Sequence, residues 1–333
     1  MRAIFLCDVP SVISMVYPPE TVARLKAEAH LDEVVFTKAD VLAKPDAFTD
    51  VSYIFSTWEM PVFTKGEIST YFPGLKCVFY GAGSVQSFAR PFLELGITVI
   101  SAWVANAVPV AEYTVSQILL ANKGMFSTSR LLKQGRSTES IHCRGQYPGN
   151  FDVAVGLIGV GQISRLVIQL LRQHRLRIKV CSHSLSEHAA KELGVELCSL
   201  EELFATCQVV SNHLADNPST KGRLQKKHFA SMLPYATFLN TGRGAQVVEA
   251  DLANVLKHRP DLTAVLDVTD PEPPLEEHPF YHLPNCILTP HIAGSSGREV
   301  YRMSEYMIDE FIRFRDGEPC RYVVTLDMLK TMA

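Results

Sequence analysis

The sequence predicts an α/β protein with two parallel sheets, each covered by helices. Short apolar runs alternate with amphipathic stretches from the first residues onward, as is typical of parallel strands joined by crossover helices. A turn containing two glycines follows one of these runs near the middle of the chain. The 333 residues are enough for two domains of ordinary size.

The apolar runs fall into two series. Those of the first series are Ala3–Cys7, Glu33–Phe36, Tyr53–Ser56, Cys77–Tyr80 and Thr98–Ser101, with helical patterns at Pro19–Ala29 and Gln86–Leu95. Those of the second are Val153–Ile158, Arg177–Cys181, Val209–Ser211, Thr237–Asn240, Thr263–Val268 and Cys286–Thr289. Before the second series, a long helix is predicted over Val108–Ala121, and Ser127–Asn150 is expected to be a loop or a short irregular helix. The last helical pattern covers Arg298–Arg315.

The domain organisation is predicted to be discontinuous. Too little chain follows residue 296 to fold alone, so residues 297–333 are expected to return to the first domain. We therefore expect one domain from 1–102 and 297–333 and a second from 103–296, with crossings near Ala102 and Ser296. Two consecutive domains are the alternative.

The glycine turn predicts a dinucleotide-binding Rossmann domain. Gly159 permits the tight turn, and Gly161 lets the backbone approach a pyrophosphate. The next helix begins at Gln162 and Ile163 and directs its N-terminal N–H groups at that anion. Ser164 stands where a third glycine is usual and is small enough to keep the packing close. S-adenosylmethionine folds have similar turns, so a methyltransferase is an alternative.

Three further segments follow predicted strands and contain Arg243, Glu272 and His291. Ligands of open α/β sheets bind at the carboxyl ends of the strands, so these side chains could meet beside the cofactor. Reduction of a 2-keto acid needs a cation for the carboxylate, which arginine supplies as a bidentate fork. It also needs a proton donor, which histidine supplies, and a carboxylate beside that histidine stabilises the imidazolium. A methyltransferase leaves all three residues unexplained.

Each of these residues alone has a structural explanation. The histidine could be a satisfied loop residue, the arginine could cap a turn, and the glutamate could be solvated in its proline-rich loop. Their joint occurrence after the glycine turn favours the catalytic interpretation. His213, at the end of another predicted strand, is a candidate cofactor contact, while His183, His278 and His282 are expected at the surface.

From about Lys76 to Pro319 the chain resembles the D-isomer-specific 2-hydroxyacid dehydrogenases, which include glycerate, hydroxypyruvate and phosphoglycerate dehydrogenases. The order Arg–Glu–His, with spacings of 29 and 19 residues, is the most specific part of the resemblance. The other matching segments are Gly81–Gly83, Gly96–Val99 and Ala105–Glu112.

The resemblance implies a flavodoxin-like substrate domain beside the Rossmann domain, and a role for each site residue. His291 would be the general acid/base, Glu272 its partner and Arg243 the substrate anchor. The backbone around Ala82, Gly83 and Ser84 would bind the substrate carboxylate. On the cofactor side, Asp267 would contact the nicotinamide carboxamide, and we include Thr241 with the cofactor-binding residues. The resemblance also implies a homodimer formed through the nucleotide domain.

The residue at the adenosine 2′ position departs from the NAD pattern. An acid is expected about 23 residues after Gly159, and Ser182 stands there. Ser182 and Ser184 could donate to a 2′-phosphate and His183 could add charge, with Arg175, Arg177 and Lys179 nearby in sequence. We favour NADP on this ground; the alternative is that the acid is dispensable and NAD binds without it.

The expected substrate is a small 2-keto or D-2-hydroxy acid of the glyoxylate or hydroxypyruvate type. Where phosphoglycerate dehydrogenases use arginines, this chain has Phe79-Tyr80 and Ser56-Thr-Trp58-Glu59. Trp58 and Tyr80 are expected to line the pocket, and an aromatic and a carboxylate suit a phosphate poorly. Formate dehydrogenases share the fold but lack the acid–base pair.

Composition narrows the other possibilities. A net charge of −3 does not indicate a nucleic-acid-binding surface. No apolar stretch is long enough for a membrane span. The eight cysteines are scattered, which favours free thiols in the cytoplasm, and we assign no metal ligands. A nucleotide-sensing interaction protein like the C-terminal binding proteins is the second candidate, because those proteins keep the same three residues.

Overall fold

The structure is a computed structural model that describes residues 2–330, except for the side chain of Glu33. It divides into two compact units, Met1–Asn106 with Ser295–Ala333, and Ala107–Gly294. The strands are β1 Arg2–Leu6, β2 His30–Phe36, β3 Val51–Ser56, β4 Cys77–Tyr80, β5 Thr98–Ser101, β6 Ala154–Ile158, β7 Arg177–Cys181, β8 Glu196–Leu197, β9 Val209–Asn212, β10 Thr237–Asn240, β11 Thr263–Leu266 and β12 Cys286–Leu288. The α-helices are α1 Pro10–Val16, α2 Pro19–Glu28, α3 Lys38–Ala43, α4 Lys65–Tyr71, α5 Ala89–Glu94, α6 Trp103–Asn122, α7 Met125–Lys133, α8 Ser137–Arg144, α9 Gln162–Leu171, α10 Glu187–Glu192, α11 Leu200–Thr206, α12 Lys226–Ala230, α13 Glu249–His258 and α14 Tyr301–Arg315.

The first unit is built on a parallel sheet of order β2-β1-β3-β4-β5, the flavodoxin-like order. Alternate residues of β1 enter two different buried clusters, Ile4 with Leu6 and Ala3 with Phe5. Both faces of this sheet are therefore covered, as all-parallel sheets require. Helix α14 belongs to this unit, and its Phe311 packs edge-on against Phe79 of β4.

The second unit is built on a parallel sheet of order β12-β11-β10-β9-β6-β7-β8. Counted from β6, this is the Rossmann order 3-2-1-4-5-6 with one strand added. The strand order reverses between β6 and β9, so the carboxyl ends of these strands border the crevice where such folds bind ligands. The predicted fold class, with one flavodoxin-like and one Rossmann domain, is confirmed.

The predicted strands agree with the structure to within one or two residues, except that β2 begins three residues earlier than predicted. Helix α6 begins at Trp103 rather than Val108 and contains Pro109 within it. The segment predicted as a loop or a short irregular helix is mostly the two regular helices α7 and α8. Among the described residues, no helix is both long and apolar enough to cross a bilayer.

Candidate functional site

The glycine turn after β6 has the geometry that its sequence predicts. Gly159 has a φ of 86°, and a Cβ there would lie 2.9 Å from the carbonyl oxygen of His213. A side chain is therefore excluded both by backbone conformation and by space. The Gly159 N–H donates to the Cys181 carbonyl at 2.8 Å, which fixes the turn against the end of β7.

Gly161 differs from Gly159 because nothing lies within 4 Å of the position its Cβ would take. It precedes α9, which begins at Gln162 and Ile163 and runs for 10 residues. The open backbone and the free N–H groups of the first helical turn fit a pyrophosphate. Ser164 is fully buried, and its hydroxyl donates to the Gly159 carbonyl at 2.8 Å, so it also closes the turn.

The other candidate cofactor residues of the second unit lie at strand ends. The Nε2 atom of His213 is 2.9 Å from the Ser211 hydroxyl, and burial lowers the pKa of His213 to about 4. Its Nδ1 atom is shielded from solvent and has no partner among the described residues. Thr241 follows β10, is buried, and has its hydroxyl 3.4 Å from that of Thr114.

The turn after β7 holds Ser182, His183 and Ser184. The two serine hydroxyls are 3.2 Å apart. Two of the nearby basic residues are engaged elsewhere, because Lys179 pairs with Glu202 at 2.9 Å and Arg175 pairs with Asp152 at 3.2 Å. Instead, the cation at this turn is Arg223, which the sequence analysis did not identify.

The second unit brings two of the predicted catalytic side chains together. The Nδ1 atom of His291 is 2.7 Å from Oε1 of Glu272, and the two side chains are 46% and 39% exposed. His291 has a φ of 53°, a left-handed conformation that is uncommon for a residue with a side chain. Such backbone strain is concentrated at functional sites, where the surrounding structure must hold it.

The Asp267 carboxylate holds the strained turn at His291. It accepts the N–H groups of Ile292 and Ala293 at 2.8 and 2.9 Å and the Thr289 hydroxyl at 2.6 Å. Its backbone carbonyl also accepts the N–H of His291 at 3.0 Å. Asp267 therefore shapes the loop that presents the histidine, a role that the sequence analysis did not assign to it.

Arg243 follows β10 and is half-buried. Its guanidinium donates to the Gly242 carbonyl at 2.8 Å and pairs with no carboxylate among the described residues. A Cβ at Gly244 would overlap the carbonyl group of Thr269, so this turn packs directly against the segment leading to Glu272. The structure thus leaves an uncompensated cation on the turn that contacts the Glu272 loop.

Glu249, which the sequence analysis missed, holds the loop carrying Glu272 at two points, one on each side of that residue. Glu249 accepts the Asp270 N–H at 3.0 Å, and its other oxygen is 3.3 Å from Nε2 of His278. His278 is only 16% exposed, so its expected surface location is wrong. Burial raises the pKa of Glu249 to about 7, with repulsion from Asp270 adding to this and the Asp270 N–H opposing it.

In the first unit, the backbone N–H groups of Ala82, Gly83 and Ser84 donate to no described residue. The carbonyls of Ala82 and Gly83 accept from the Ser101 hydroxyl, at 2.8 and 2.7 Å. Three successive N–H groups without an acceptor are available to an anion such as a carboxylate. Trp58 is partly buried, and Tyr80 is 6% exposed and packs against Phe88.

Comparison with known proteins agrees with this geometry. Residues 115–293 match the family model described as D-isomer specific 2-hydroxyacid dehydrogenase, NAD binding domain. This match covers more than half of the chain. The chain belongs to the D-isomer specific 2-hydroxyacid dehydrogenase family. Its second unit is accordingly an NAD-binding domain, and the family is one of oxidoreductases acting on small acids.

Two relatives within the family have different substrates in their names. A D-3-phosphoglycerate dehydrogenase of Archaeoglobus fulgidus is 26% identical over 241 residues, covering 71% of this chain and 44% of that protein. A glyoxylate reductase of Aeropyrum pernix is 26% identical over 248 residues, covering 71% of this chain and 72% of that protein. The chain spans less than half the length of the phosphoglycerate dehydrogenases that it matches.

Among solved structures, the apo form of Rhodotorula graminis D-mandelate dehydrogenase superposes with a TM-score of 0.80. The two chains are 19% identical, and the match covers 97% of each. At this identity the likeness establishes the shared fold and carries no information on the substrate.

Proposed function

We propose that this protein reduces small 2-keto acids to D-2-hydroxy acids with a nicotinamide cofactor. The observation that carries the proposal is the 2.7 Å contact between Glu272 and His291. Asp267 holds the turn on which His291 lies. An exposed histidine whose Nδ1 is bound to a carboxylate keeps Nε2 available, and no described residue forms a hydrogen bond with that nitrogen. This is the arrangement of an oriented general acid/base.

Each residue has one task in the proposed reaction. Arg243 binds the substrate carboxylate through its unpaired guanidinium. When bound, the nicotinamide cofactor would supply the hydride, with its two electrons, that reduces the keto carbon. His291 gives the proton from Nε2 to the keto oxygen, and Glu272 stabilises the imidazolium before transfer. The products are the oxidised cofactor and the 2-hydroxy acid.

We further propose that the cofactor contacts are Gly159, Gly161, Gln162, Ile163, Ser182, His183, His213, Thr241 and Asp267. The open space at Gly161, which fits a pyrophosphate, supports the contacts at the glycine turn. NADP is favoured over NAD because Ser182 replaces the acid that would accept the ribose 2′-hydroxyl. Asp267 already accepts three hydrogen bonds, and a carboxylate has about four acceptor positions, which leaves one for the carboxamide.

For the substrate, we propose the glyoxylate or hydroxypyruvate type rather than a phosphorylated acid. Trp58, which is partly buried, and the neighbouring Glu59 offer no cation for a distal phosphate. We also propose that Tyr80 lines the substrate pocket, although little of its surface is exposed.

The test is a panel of glyoxylate, hydroxypyruvate, pyruvate, phenylpyruvate, phenylglyoxylate and phosphohydroxypyruvate, each with NADPH and NADH. We expect turnover of at least one unphosphorylated acid, with kcat/KM for phosphohydroxypyruvate at least tenfold lower. Fast turnover of phosphohydroxypyruvate would overturn the substrate proposal. Cofactor binding without reduction of any acid would favour the nucleotide-sensing alternative that resembles the C-terminal binding proteins.

We also propose folding domains with crossings near residues 102 and 296, a homodimer formed by the second unit, and a cytoplasmic location. All eight cysteines are free thiols in the structure, which supports a reducing compartment.

A further inference from the structure

Arg223 is held at the turn that follows β7, although it lies 40 residues away from that turn in sequence. Its Nη2 atom is 2.9 Å from Nε2 of His183. A guanidinium has only donors, so the His183 nitrogen accepts this hydrogen bond. The contact therefore places a cation at the turn formed by Ser182, His183 and Ser184.

The backbone on both sides of Arg223 is fixed. The N–H of Gly222 donates to the Ala245 carbonyl at 2.8 Å, and that of Leu224 donates to the Gln246 carbonyl at 3.0 Å. Leu224 is fully buried. The backbone that carries Arg223 is therefore fixed, and the contact with His183 holds its guanidinium at the turn after β7.

No carboxylate neutralises Arg223 among the described residues. Glu201, which acts electrostatically on the neighbouring Cys181, has its own partner in Lys227 at 2.9 Å. One of the five guanidinium N–H donors is directed at His183, so four remain. An unpaired arginine, an imidazole and two hydroxyls form a donor set for a phosphate monoester, which has a charge of about −1.5 to −2 at neutral pH.

The position of this donor set decides which phosphate it fits. Ile158 pairs with Cys181 across β6 and β7, so Gly159 and Ser182 each lie one residue beyond neighbouring strand ends. A dinucleotide whose pyrophosphate lies at the glycine turn presents its adenosine ribose to the end of β7. We infer that Arg223, with His183, Ser182 and Ser184, binds the 2′-phosphate of NADP(H) and makes this protein selective for it. The inference rests on the dinucleotide site of the proposed function.

The test measures binding, so it requires no keto acid. Dissociation constants for NADPH, NADH, 2′,5′-ADP and 5′-AMP are determined by calorimetry or protein fluorescence for the whole chain and for Arg223→Ala. We expect the wild type to bind NADPH and 2′,5′-ADP more tightly than their unphosphorylated counterparts. Arg223→Ala should weaken both phosphorylated ligands by roughly 10- to 100-fold and change NADH and 5′-AMP by less than twofold. Unchanged NADH affinity also shows that the variant is folded.

Two further variants separate the direct contact from general charge. Lys221→Ala removes one exposed cation from the same segment and should leave all four affinities unchanged within twofold. Ser182→Asp introduces a carboxylate at the turn that Arg223 contacts through His183, and it should reverse the preference toward NADH. The inference is overturned if the wild type binds NADH as tightly as NADPH, if Arg223→Ala weakens both cofactors equally, or if Lys221→Ala has the same effect as Arg223→Ala.

The outcomes distinguish this inference from the proposed function. NADPH selectivity that depends on Arg223, without reduction of any acid in the panel, would defeat the proposed reaction and leave the phosphate site standing. Reduction of 2-keto acids with a preference for NADH would support the proposed reaction and overturn the phosphate site.

Discussion

The left-handed backbone at His291 ties one residue to the turn that surrounds it. Glu272 contacts the His291 side chain, and the buried Asp267 accepts the N–H of His291 and the next two N–H groups. We expect His291→Ala to lower kcat by about 10²–10⁴-fold while cofactor affinity stays within twofold of wild type, because a general acid contributes about that factor. Steady-state kinetics and cofactor titration check this. Retention of wild-type kcat would contradict the assignment.

Arg243 allows a sharper test, because its charge and its shape can be varied separately. Loss of one bidentate charged contact in a desolvated site costs about 2–3 kcal/mol, so Arg243→Ala should lower kcat/KM by roughly 30- to 150-fold. Arg243→Lys keeps the charge without the fork and should recover only part of that loss. Exposed Arg165 of α9 is the matched control, and Arg165→Ala should leave kcat/KM unchanged. Equal activity of Arg243→Ala and wild type would remove the proposed substrate anchor.

At the scale of the element, the loop between β11 and β12 depends on Glu249, whose pKa is about 7 in the folded protein and near 4.5 when exposed. The folded state therefore holds this proton more tightly than the unfolded state, and stability falls as pH rises from 4.5 through 7. Glutamine imitates the protonated acid, so Glu249→Gln should become more stable relative to wild type between pH 5 and pH 8. The expected change is on the order of 1–3 kcal/mol.

Urea unfolding at several pH values measures this difference. Glu277→Gln, an exposed carboxylate of the same loop, is the matched control and should show no such trend. Burial lowers the pKa of His278, which adds a loss of stability as the pH falls on the acid side. A stability difference that does not change between pH 5 and pH 8 would mean that Glu249 does not titrate in this range.

The elements that the sequence predicted well are those specified by local patterns. Strand β6 and the turn at Gly159 combine an apolar run with a glycine in a conformation that residues with side chains rarely adopt. The position of the turn and its expected role therefore follow from a few neighbouring residues. Helix α6 shows the limit of such rules. Its expected start at Val108 lies five residues late, because the chain continues as helix through Pro109 where tertiary packing outweighs local preference.

Contacts between distant segments could not be predicted, because they depend on the paths of loops. Arg223 and His183 are 40 residues apart, and Glu249 and His278 are 29 apart, with no periodicity linking either pair. Asp267 was expected to contact the cofactor, but its hold on the His291 turn becomes visible only when the backbone of residues 289–293 is known. Because ligands bind at the carboxyl ends of parallel strands, the sequence indicated which residues to consider. The loops determine which other residues hold those side chains in place.

At the scale of the whole molecule, the second unit leaves apolar side chains exposed on α7 and α8, among them Leu132 at 58% and Ile141 at 62%. Large apolar side chains grouped on one surface mark interaction sites, and these two helices lie in the segment expected to form the dimer. We expect the wild type to be a dimer by light scattering and Leu132→Asp/Ile141→Asp to be a monomer, because each charge would be buried without a partner at the interface. Val62→Asp, which alters a 53% exposed side chain of the first unit, should remain dimeric. A monomeric wild type, or a double variant that stays dimeric, would exclude this surface as the dimer interface. Unchanged secondary structure by circular dichroism would show that the double variant dissociates without unfolding.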